Sequence, residues 1–347
     1  METDSRSLFL MNDDAGNKVR TRMSRYTWDW LLSTVPGQAQ DGNRKLSNDE
    51  GKRLWGSDVA SNPPEVLFDH VMNPTPNNNH GMAELTSKIH SYGFCFVAGT
   101  PATPEATNEL LERIGPIRNT HYGGFYDFVP DLAKADTAYT NLALAAHTDT
   151  TYFTEPAGIQ AFHLLSHTPP PANRATGGGS DDDPLGGQSL LVDGFYAAER
   201  LREEAPTDFD VLGASNIPWH ASGNEGVAVA PDRAYPVIET HDKALRRIRW
   251  NNDDRGVVPL TMDVDRWYAA ARKWDELLRR RDAEYWFQLV PGRVLIFDNW
   301  RVLHGRSAFE GLRRICGGYI NRDDFVSRWK TTNFPNDEVI AANMQLR

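Results

Sequence analysis

The amino-acid sequence predicts a mainly β protein, in which a β-sandwich or jelly-roll core has helices packed on its outside. Short apolar runs of strand length recur along the chain, few segments show a helical period, and the connections between them are long. The chain has 347 residues, of which 40% are hydrophobic and 24% charged, an ordinary globular composition. This length suits either one large domain with extensions or two domains.

The predicted strands are apolar runs bounded by turn residues. In chain order they are Gly93–Val97, Ile159–Leu165, Ser189–Asp193, Gly292–Trp300 and Arg314–Tyr319. The first of them is apolar at almost every position, which is typical of a strand buried on both faces. Together these runs supply the strands of the β core.

Two helices are predicted from their end signals and their apolar stripes. In the first, Thr103 suits the N-cap, Pro104 the first helical position and Gly115 the C′ position. The second begins near Asp263, and its stripe at 4-3-4 spacing consists of Trp267, Ala271, Trp274 and Leu278. Each helix therefore has an apolar face that can pack against a core.

The remaining segments are predicted loops or weakly patterned extensions. Residues 168–187 are rich in Pro, Gly and Asp and are expected to form a mobile surface loop. Asn73–Asn79 has the composition of a shorter loop. Residues 1–60 are polar and weakly patterned. We therefore expect a main domain over residues 61–347, preceded by a separate N-terminal segment.

Charge and cysteine usage exclude several classes of protein. The 37 Lys and Arg residues stand against 47 Asp and Glu residues, a net charge of -10, which argues against nucleic-acid and anionic-membrane partners. No apolar run approaches the length of a membrane span, and the N-terminus resembles neither a signal peptide nor a transit peptide. Cys95 and Cys316 form neither a disulfide framework nor a thiolate zinc site. A reducing, cytoplasmic location is the expectation.

One short motif has the composition of a metal site. His147 and Asp149 stand two residues apart, so on an extended segment their side chains point the same way and can share one ion. His304 follows a second apolar strand. Two histidines and one carboxylate form the facial triad of non-haem Fe(II) oxygenases, which leaves three coordination positions for a chelating keto acid and dioxygen. The alternative is structural: His147 caps a strand and His304 packs against Trp300.

Two adjacent arginines follow His304 on the next predicted strand. The guanidinium of Arg313 or of Arg314 can bind the distal carboxylate of 2-oxoglutarate in a bidentate manner. The competing interpretation is a solvated surface charge, and it is weakened because the pair leads directly into an apolar strand. A metallohydrolase fits less well, since the sequence contains no His-Glu-x-x-His motif.

Longer stretches carry a family resemblance that runs from about Tyr92 to Asp324. They are Asp136–Thr140, His147–Phe153, Gly186–Tyr196, Arg249–Asn252 and Asp298–Arg306. On these residues the chain resembles the trimethyllysine and γ-butyrobetaine dioxygenase family of Fe(II)/2-oxoglutarate-dependent oxygenases, and several stretches are closer to the trimethyllysine branch. The resemblance implies a double-stranded β-helix (jelly-roll) core of the 2-oxoglutarate oxygenase type.

The resemblance also implies cofactors and the residues that hold them. Fe(II), 2-oxoglutarate as co-substrate and molecular oxygen are expected, with ascorbate as an optional reductant. The implied iron ligands are His147, Asp149 and His304. Arg313 is the implied 2-oxoglutarate clamp, with Arg314 as its register alternative. Ser189 falls where the wider superfamily often has a threonine hydroxyl that binds the same carboxylate.

A cage for a quaternary ammonium group is implied by four tyrosines. A trimethylammonium group cannot donate hydrogen bonds, so proteins hold it against aromatic faces, at about 0.5–2 kcal/mol per contact. The tyrosines at the family positions are Tyr122, Tyr126, Tyr139 and Tyr319. The alternative is that these side chains simply fill the core.

The implied reaction is hydroxylation of Nε-trimethyllysine at carbon 3, the first step of carnitine biosynthesis. We expect Asp136, Asn251 and Asn252 to bind the α-amino and carboxylate end of this substrate. Hydroxylation of γ-butyrobetaine is the alternative within the family, and a non-catalytic quaternary-ammonium-binding module is the alternative outside it. The carboxylate of Asp136 favours trimethyllysine, because an α-ammonium group distinguishes that substrate.

The N-terminal segment and the cellular setting are further expectations from the resemblance. Residues 1–60 are interpreted as the remnant of the family's N-terminal domain without its cysteine zinc site, because no cysteine precedes Cys95. A homodimer is compatible with the family. A mitochondrial location is the alternative to the cytoplasm.

Overall fold

A computed structural model of the chain describes residues 7–10, 24–27, 51–74, 80–129, 141–169, 185–221 and 226–343. The chain divides into two compact units, residues 1–50 with 334–347 and residues 51–333. None of the described helices is long and apolar enough to cross a membrane. The candidate site belongs to the larger unit.

The described strands outnumber the described helices. The strands are β1 (Ser7–Leu10), β2 (Ser24–Thr27), β3 (Glu65–Leu67), β4 (Phe94–Ala98), β5 (Tyr126–Phe128), β6 (Leu144–His147), β7 (Ile159–Thr168), β8 (Ser189–Asp193), β9 (Ile238–His241), β10 (Ala244–Ile248), β11 (Glu284–Phe287), β12 (Arg293–Asp298), β13 (Val302–Arg306) and β14 (Leu312–Ile320). The α-helices are α1 (Phe68–Met72), α2 (Gly81–Tyr92), α3 (Pro104–Ile114), α4 (Gly194–Glu204), α5 (Pro206–Ala214), α6 (Val264–Leu278), α7 (Arg322–Asn333) and α8 (Asn336–Asn343).

Two sheets of the larger unit form its core. The six-stranded sheet has the order β3-β4-β12-β7-β14-β5, and the four-stranded sheet has the order β11-β8-β13-β6. Neighbours in these sheets are antiparallel, except that β3 and β4 are parallel. β6, β8 and β13 lie in one sheet and β7, β12 and β14 in the other, so the chain passes repeatedly between the sheets. This order confirms the predicted jelly-roll class.

Side chains of the two sheets meet in one apolar layer between them. In β12, Leu295 and Phe297 join the cluster that both sheets share, whereas Val294 and Ile296 join a cluster beneath outer helices. This alternation follows from the period of two along a strand. Helices α2, α3 and α7 cover the six-stranded sheet, and α4, α5 and α6 cover the four-stranded sheet. The core is therefore a sandwich with helices on both outer faces.

The five predicted strands and both predicted helices are confirmed, but the end of α3 differs from its prediction. The side chain of Thr103 accepts a hydrogen bond from the backbone N–H of Ala106, as an N-cap does. Gly115 has φ −177°, which is extended rather than left-handed, so the C′ prediction is wrong. A Cβ at this position would lie 3.1 Å from atoms of Asp324 and Ile320, so close packing favours the glycine.

Several predicted features lie outside the described residues. They are most of the loop predicted at 168–187, most of Asn73–Asn79, and the two candidate site residues Asp136 and Tyr139. The outer helices are more numerous than the few that the sequence predicts. In α2, for example, the side chain of the preceding His80 makes no cap hydrogen bond, so the usual start signal is missing. The interpretation of residues 1–60 as a domain remnant stays a prediction.

Candidate active site

The two predicted ligand histidines meet because their strands are neighbours. β6 and β13 pair so that His147 lies directly opposite His304, and the two ring centroids are 4.3 Å apart. Nδ1 of His147 lies 2.8 Å from the carbonyl oxygen of Ala145. Since a carbonyl can only accept, Nδ1 carries the proton and the lone pair of Nε2 is available as a ligand.

Asp149 completes a cluster with the two histidines. Its Oδ1 lies 3.3 Å from Nε2 of His147 and 3.8 Å from Nε2 of His304. One ligand atom from each residue falls within 4.8 Å of the others, a spacing that can hold a metal ion. The structure thus brings together all three predicted metal ligands, the two of the His-x-Asp motif and His304.

Hydrogen bonds fix both the backbone and the carboxylate of Asp149. The side-chain oxygen of Asn299 accepts from the Asp149 N–H at 2.8 Å, and its amide donates to the Asp149 carbonyl oxygen at 3.0 Å. Oδ2 of Asp149 accepts from Nε2 of Gln160 at 2.7 Å and from the hydroxyl of Tyr319 at 3.0 Å. The other oxygen, Oδ1, faces the histidines.

The backbone after Asp149 is strained and clamped. Thr150 has φ 54°, in the left-handed region that residues other than glycine rarely adopt. The buried guanidinium of Arg249 donates to the carbonyl oxygen of Thr151 and, at 2.8 Å, to that of Phe153. These bonds stabilise the turn from which the Asp149 side chain projects.

Burial and mutual contact shift the titration of the cluster. Burial acts to raise the pKa of Asp149, but its contacts with His304, His147 and Gln160 outweigh burial and hold the pKa below its ordinary value. Burial, helped by the neighbouring His147, lowers the pKa of His304 to about 3. Near neutral pH, Asp149 is therefore ionised and His304 neutral, which are the forms that ligate metals.

The two adjacent arginines of β14 have opposite surroundings. Arg314 has a side chain that is 46% exposed and forms an ion pair of 2.5 Å with Asp127. Arg313 is 2% exposed, and its Nε has no hydrogen-bond partner. No carboxylate pairs with Arg313 among the residues that the structure describes. Burial and the neighbouring Arg306 lower the pKa of Arg313 to about 9. Of the two, only Arg313 is a buried cation without a carboxylate partner among the described residues.

Ser189 and Arg313 lie on different sheets of the sandwich. Ser189 is buried on β8, directly opposite Arg306 on β13. The guanidinium of Arg306 lies 4.7 Å from the ring centroid of Phe309, and that of Arg313 lies 5.7 Å from the same centroid. Phe309 is therefore an aromatic surface that both arginines contact.

The three described tyrosines of the predicted cage fall into two groups of neighbouring side chains. Tyr126 and Tyr319 form an edge-to-face pair with centroids 5.9 Å apart. The hydroxyls of Tyr122 and Tyr152 are 3.0 Å apart. Burial, and then the charge of Asp149, raise the pKa of Tyr319 well above its ordinary value, so its hydroxyl stays protonated. Tyr319 differs from the prediction in that its hydroxyl also contacts the carboxylate of the triad.

Asn251 and Asn252 line a cavity that reaches the triad. Its volume is about 620 Å³, and its wall includes His147 and, from α6, Trp267 and Tyr268. Asn251 accepts a hydrogen bond from the backbone N–H of the residue two positions later, at 3.1 Å. The cavity therefore connects one triad histidine with both predicted polar residues.

Three buried polar residues around the triad escape the sequence-based prediction. They are Gln160, Arg249 and Asn299. Gln160 has a recognisable signal, because it is an amide inside the apolar run Ile159–Leu165. Arg249 and Asn299 lie in stretches that carry the family resemblance, but nothing in their neighbours indicates that they bind the backbone near Asp149.

Known proteins match most of the chain. Residues 58–319 match the family model described as taurine catabolism dioxygenase TauD, TfdA family. A trimethyllysine dioxygenase of Neurospora crassa is 55% identical over 340 residues, which cover 91% of this chain and 70% of that relative. The mitochondrial trimethyllysine dioxygenase of Homo sapiens is 44% identical, with coverages of 88% and 68%. The γ-butyrobetaine dioxygenase of Homo sapiens is 28% identical, with coverages of 80% and 68%.

A solved structure shares the fold. The crystal structure of a taurine dioxygenase from Burkholderia xenovorans gives a TM-score of 0.52 at 14% sequence identity, covering 78% of this chain and 89% of that one. At this identity the likeness concerns the fold alone. It agrees with the two-sheet core and outer helices described above.

Proposed function

Because the chain belongs to the TauD/TfdA family and, within it, to the trimethyllysine dioxygenases, we propose that it is a 2-oxoglutarate-dependent dioxygenase that hydroxylates Nε-trimethyllysine at carbon 3. The observation that carries the proposal is the assembly of His147, Asp149 and His304 into one cluster, in a chain 55% identical to a trimethyllysine dioxygenase. The reaction would be the first step of carnitine biosynthesis.

The triad fits Fe(II) by its donor chemistry. Two imidazole nitrogens and one carboxylate oxygen are the donor set of non-haem Fe(II) oxygenases, and Asp149 is ionised while His304 is neutral. Fe(II), when bound, supplies the activation of dioxygen that couples decarboxylation of 2-oxoglutarate to succinate with hydroxylation of the substrate. His147 and His304 would hold it through Nε2, and Asp149 through Oδ1.

The surroundings of Arg313 fit the distal carboxylate of 2-oxoglutarate. A buried guanidinium is stabilised by a bidentate carboxylate, and Arg313 has no such partner among the described residues. Arg314 is exposed and already paired with Asp127, so we assign the clamp to Arg313. Ser189, buried on the other sheet, stays the proposed second donor.

Aromatic and polar surfaces near the triad support a substrate with a trimethylammonium group at one end. Tyr319, whose hydroxyl bonds to Asp149, packs edge-to-face against Tyr126, and we propose that these two rings form a cage which Tyr122 and Tyr139 extend. The asparagines Asn251 and Asn252, together with Asp136, would bind the amino-acid end. Holding both ends determines which C–H bond faces the metal site, so these residues contribute orientation rather than chemistry.

Aromatic packing also limits water around the triad. The rings of Phe162 and Phe297 lie 5.4 Å and 5.0 Å, centroid to centroid, from that of His304. Apolar walls of this kind exclude solvent and so suppress side reactions of the bound groups. The protein thereby provides an oriented pocket with an apolar wall beside His304, and the cofactor provides the oxidation.

The alternative functions have less support. γ-Butyrobetaine dioxygenase of Homo sapiens shares 28% identity, compared with 44% for the human trimethyllysine dioxygenase. A non-catalytic binding module has no use for a metal-ligating cluster or for a buried Arg313 that pairs with no carboxylate among the described residues. The mitochondrial labels of mammalian relatives favour the mitochondrial alternative over the cytoplasm for this chain.

The proposal is tested by product analysis. We would load the purified chain with Fe(II) without oxygen, then add 2-oxoglutarate, isotopically labelled dioxygen, and either trimethyllysine or γ-butyrobetaine. We expect trimethyllysine to gain one labelled oxygen atom, with one succinate formed per product and the hydroxyl on carbon 3 by NMR. The second labelled oxygen atom should appear in succinate.

The controls separate the alternatives. His147→Ala should abolish turnover because it removes a metal ligand. Turnover of γ-butyrobetaine alone would move the chain to the other branch of the family. A binding module would give a different result. The iron-loaded wild type would bind trimethyllysine by calorimetry without turning it over, and His147→Ala would bind it with equal affinity.

A further inference from the structure

The two carboxylate oxygens of Asp149 have different surroundings. Oδ1 faces Nε2 of His147 at 3.3 Å and Nε2 of His304 at 3.8 Å. Oδ2 accepts hydrogen bonds from Gln160 at 2.7 Å and from Tyr319 at 3.0 Å. The fold therefore sorts the oxygens, one toward the imidazole nitrogens and the other toward two protein donors.

Both donors come from the sheet that faces the triad. Gln160 on β7 and Tyr319 on β14 are directly opposite one another in the antiparallel register, and both are buried. Directly opposite residues project from the same face of a sheet, so the two donors approach Asp149 from the same side. His147 and His304 belong to the four-stranded sheet. The carboxylate is thus held between the two layers of the sandwich.

We propose that Gln160 and Tyr319 are positioning residues that restrict Asp149 to a single metal-ligating oxygen, an inference that rests on the proposed iron-dependent function. A carboxylate bound through both oxygens would take an additional coordination position, whereas the reaction requires three open positions for 2-oxoglutarate and dioxygen. Hydrogen bonds to a ligating carboxylate also orient it and strengthen metal binding. Tyr319 then acts at the metal site as well as in the aromatic cage.

Matched variants separate these two roles. Tyr319→Phe keeps the ring that packs against Tyr126 and removes only the hydroxyl. Gln160→Met keeps the length of the side chain and removes the amide donor. It also removes Oε1 of Gln160, which is buried without a hydrogen-bond partner, so the fold loses little. Tyr126→Phe is the control, because its hydroxyl donates to the Ala161 carbonyl oxygen at 2.6 Å and not to the triad.

The measurement is metal affinity, which needs no turnover. Fe(II) or Mn(II) would be titrated calorimetrically into each full-length variant without oxygen, after thermal unfolding has shown that the variant is folded. We expect Tyr319→Phe and Gln160→Met each to weaken metal binding by about 10- to 100-fold. The control should bind like the wild type. The affinity of the Mn(II)-loaded variants for 2-oxoglutarate should fall as well. In these variants the second oxygen of Asp149 is free to compete for the coordination positions that 2-oxoglutarate would occupy.

Two results would overturn the inference. One is wild-type metal affinity in both variants, and the other is a Tyr319→Phe variant whose KM for trimethyllysine rises while its metal affinity is unchanged. Should Tyr319→Phe fail to fold, Gln160→Met decides alone. A wild type that binds metal but hydroxylates neither substrate would contradict the proposed function, while the titrations would still decide the role of Gln160 and Tyr319.

Discussion

Two of the buried arginines in the larger unit have opposite surroundings. Arg301, 1% exposed, donates to both carboxylate oxygens of Asp193, at 3.0 and 2.7 Å, and to the backbone carbonyl oxygens of Ser91 and Arg53. Arg313 is buried to a similar degree, yet its Nε has no hydrogen-bond partner and no described carboxylate pairs with it. A buried charge needs partners, from the protein or from a ligand. The first arginine therefore belongs to the scaffold, and the second is the one that we propose binds a ligand carboxylate.

The largest effect is expected from Arg301→Met. The change leaves Asp193 buried without its counter-charge, and we expect the free energy of unfolding to fall by about 3–5 kcal/mol. Urea denaturation followed by circular dichroism measures this difference. Arg301→Lys is the control, since it keeps the charge but loses the two-pronged contact and should lose less stability. A fully stable Arg301→Met variant would remove the distinction between the two arginines.

Arg313→Met should weaken ligand binding rather than lower the stability of the fold. We expect the affinity of the Mn(II)-loaded protein for 2-oxoglutarate to fall about 100-fold, because a charge-assisted bidentate contact is lost. Without 2-oxoglutarate, the free energy of unfolding should stay the same or rise, since an unpaired buried charge is removed. Calorimetry and urea denaturation on the same preparation measure both quantities. A destabilised variant with wild-type affinity for 2-oxoglutarate would place Arg313 in the scaffold.

The stabilisation that bound 2-oxoglutarate gives the fold also distinguishes Arg301 from Arg313. At 100 times its Kd and without oxygen, the ligand should stabilise the Mn(II)-loaded wild type by about 2.7 kcal/mol, and dialysis should reverse the gain. The Arg301→Lys variant should gain as much as the wild type. Arg313→Met should gain less than about 0.5 kcal/mol at the same concentration, because its Kd is higher. Equal gains in all three proteins would show that the ligand is held elsewhere.

The pair Arg313 and Arg314 shows what the sequence could not decide. The strand and its two arginines are local features, so they were predictable. Which arginine is buried depends on how β14 pairs with β7, and that register shifts at an irregularity between Arg314 and Ile315. Since a shift of one residue exchanges the two faces of a strand, only the fold distinguishes a buried cation from a surface one.

The surroundings of Asp149 show the same limit. His147 and Asp149 were predicted together because their spacing lies within one segment. Gln160 and Tyr319 reach the carboxylate from the facing sheet, and that contact depends on how two layers pack. Several of the outer helices escaped prediction for a local reason, as in α7, where the buried residues are only Phe325 and Trp329 and no clear apolar stripe exists. A short-range pattern therefore predicted His147 and Asp149 together, the family resemblance added His304, and long-range packing determined the hydrogen bonds that support Asp149.

The smallest effect is expected at Arg314, and it tests the comparison within a single strand. Its ion pair with Asp127 is exposed to solvent, so Arg314→Ala should lower the free energy of unfolding only slightly. Added salt should shrink that difference, because it screens exposed charges. Asp127→Asn, which breaks the same pair from the other side, should behave alike. Neither change should alter the affinity for 2-oxoglutarate; a loss in Arg314→Ala as large as in Arg313→Met would mean that the clamp cannot be assigned to Arg313 alone.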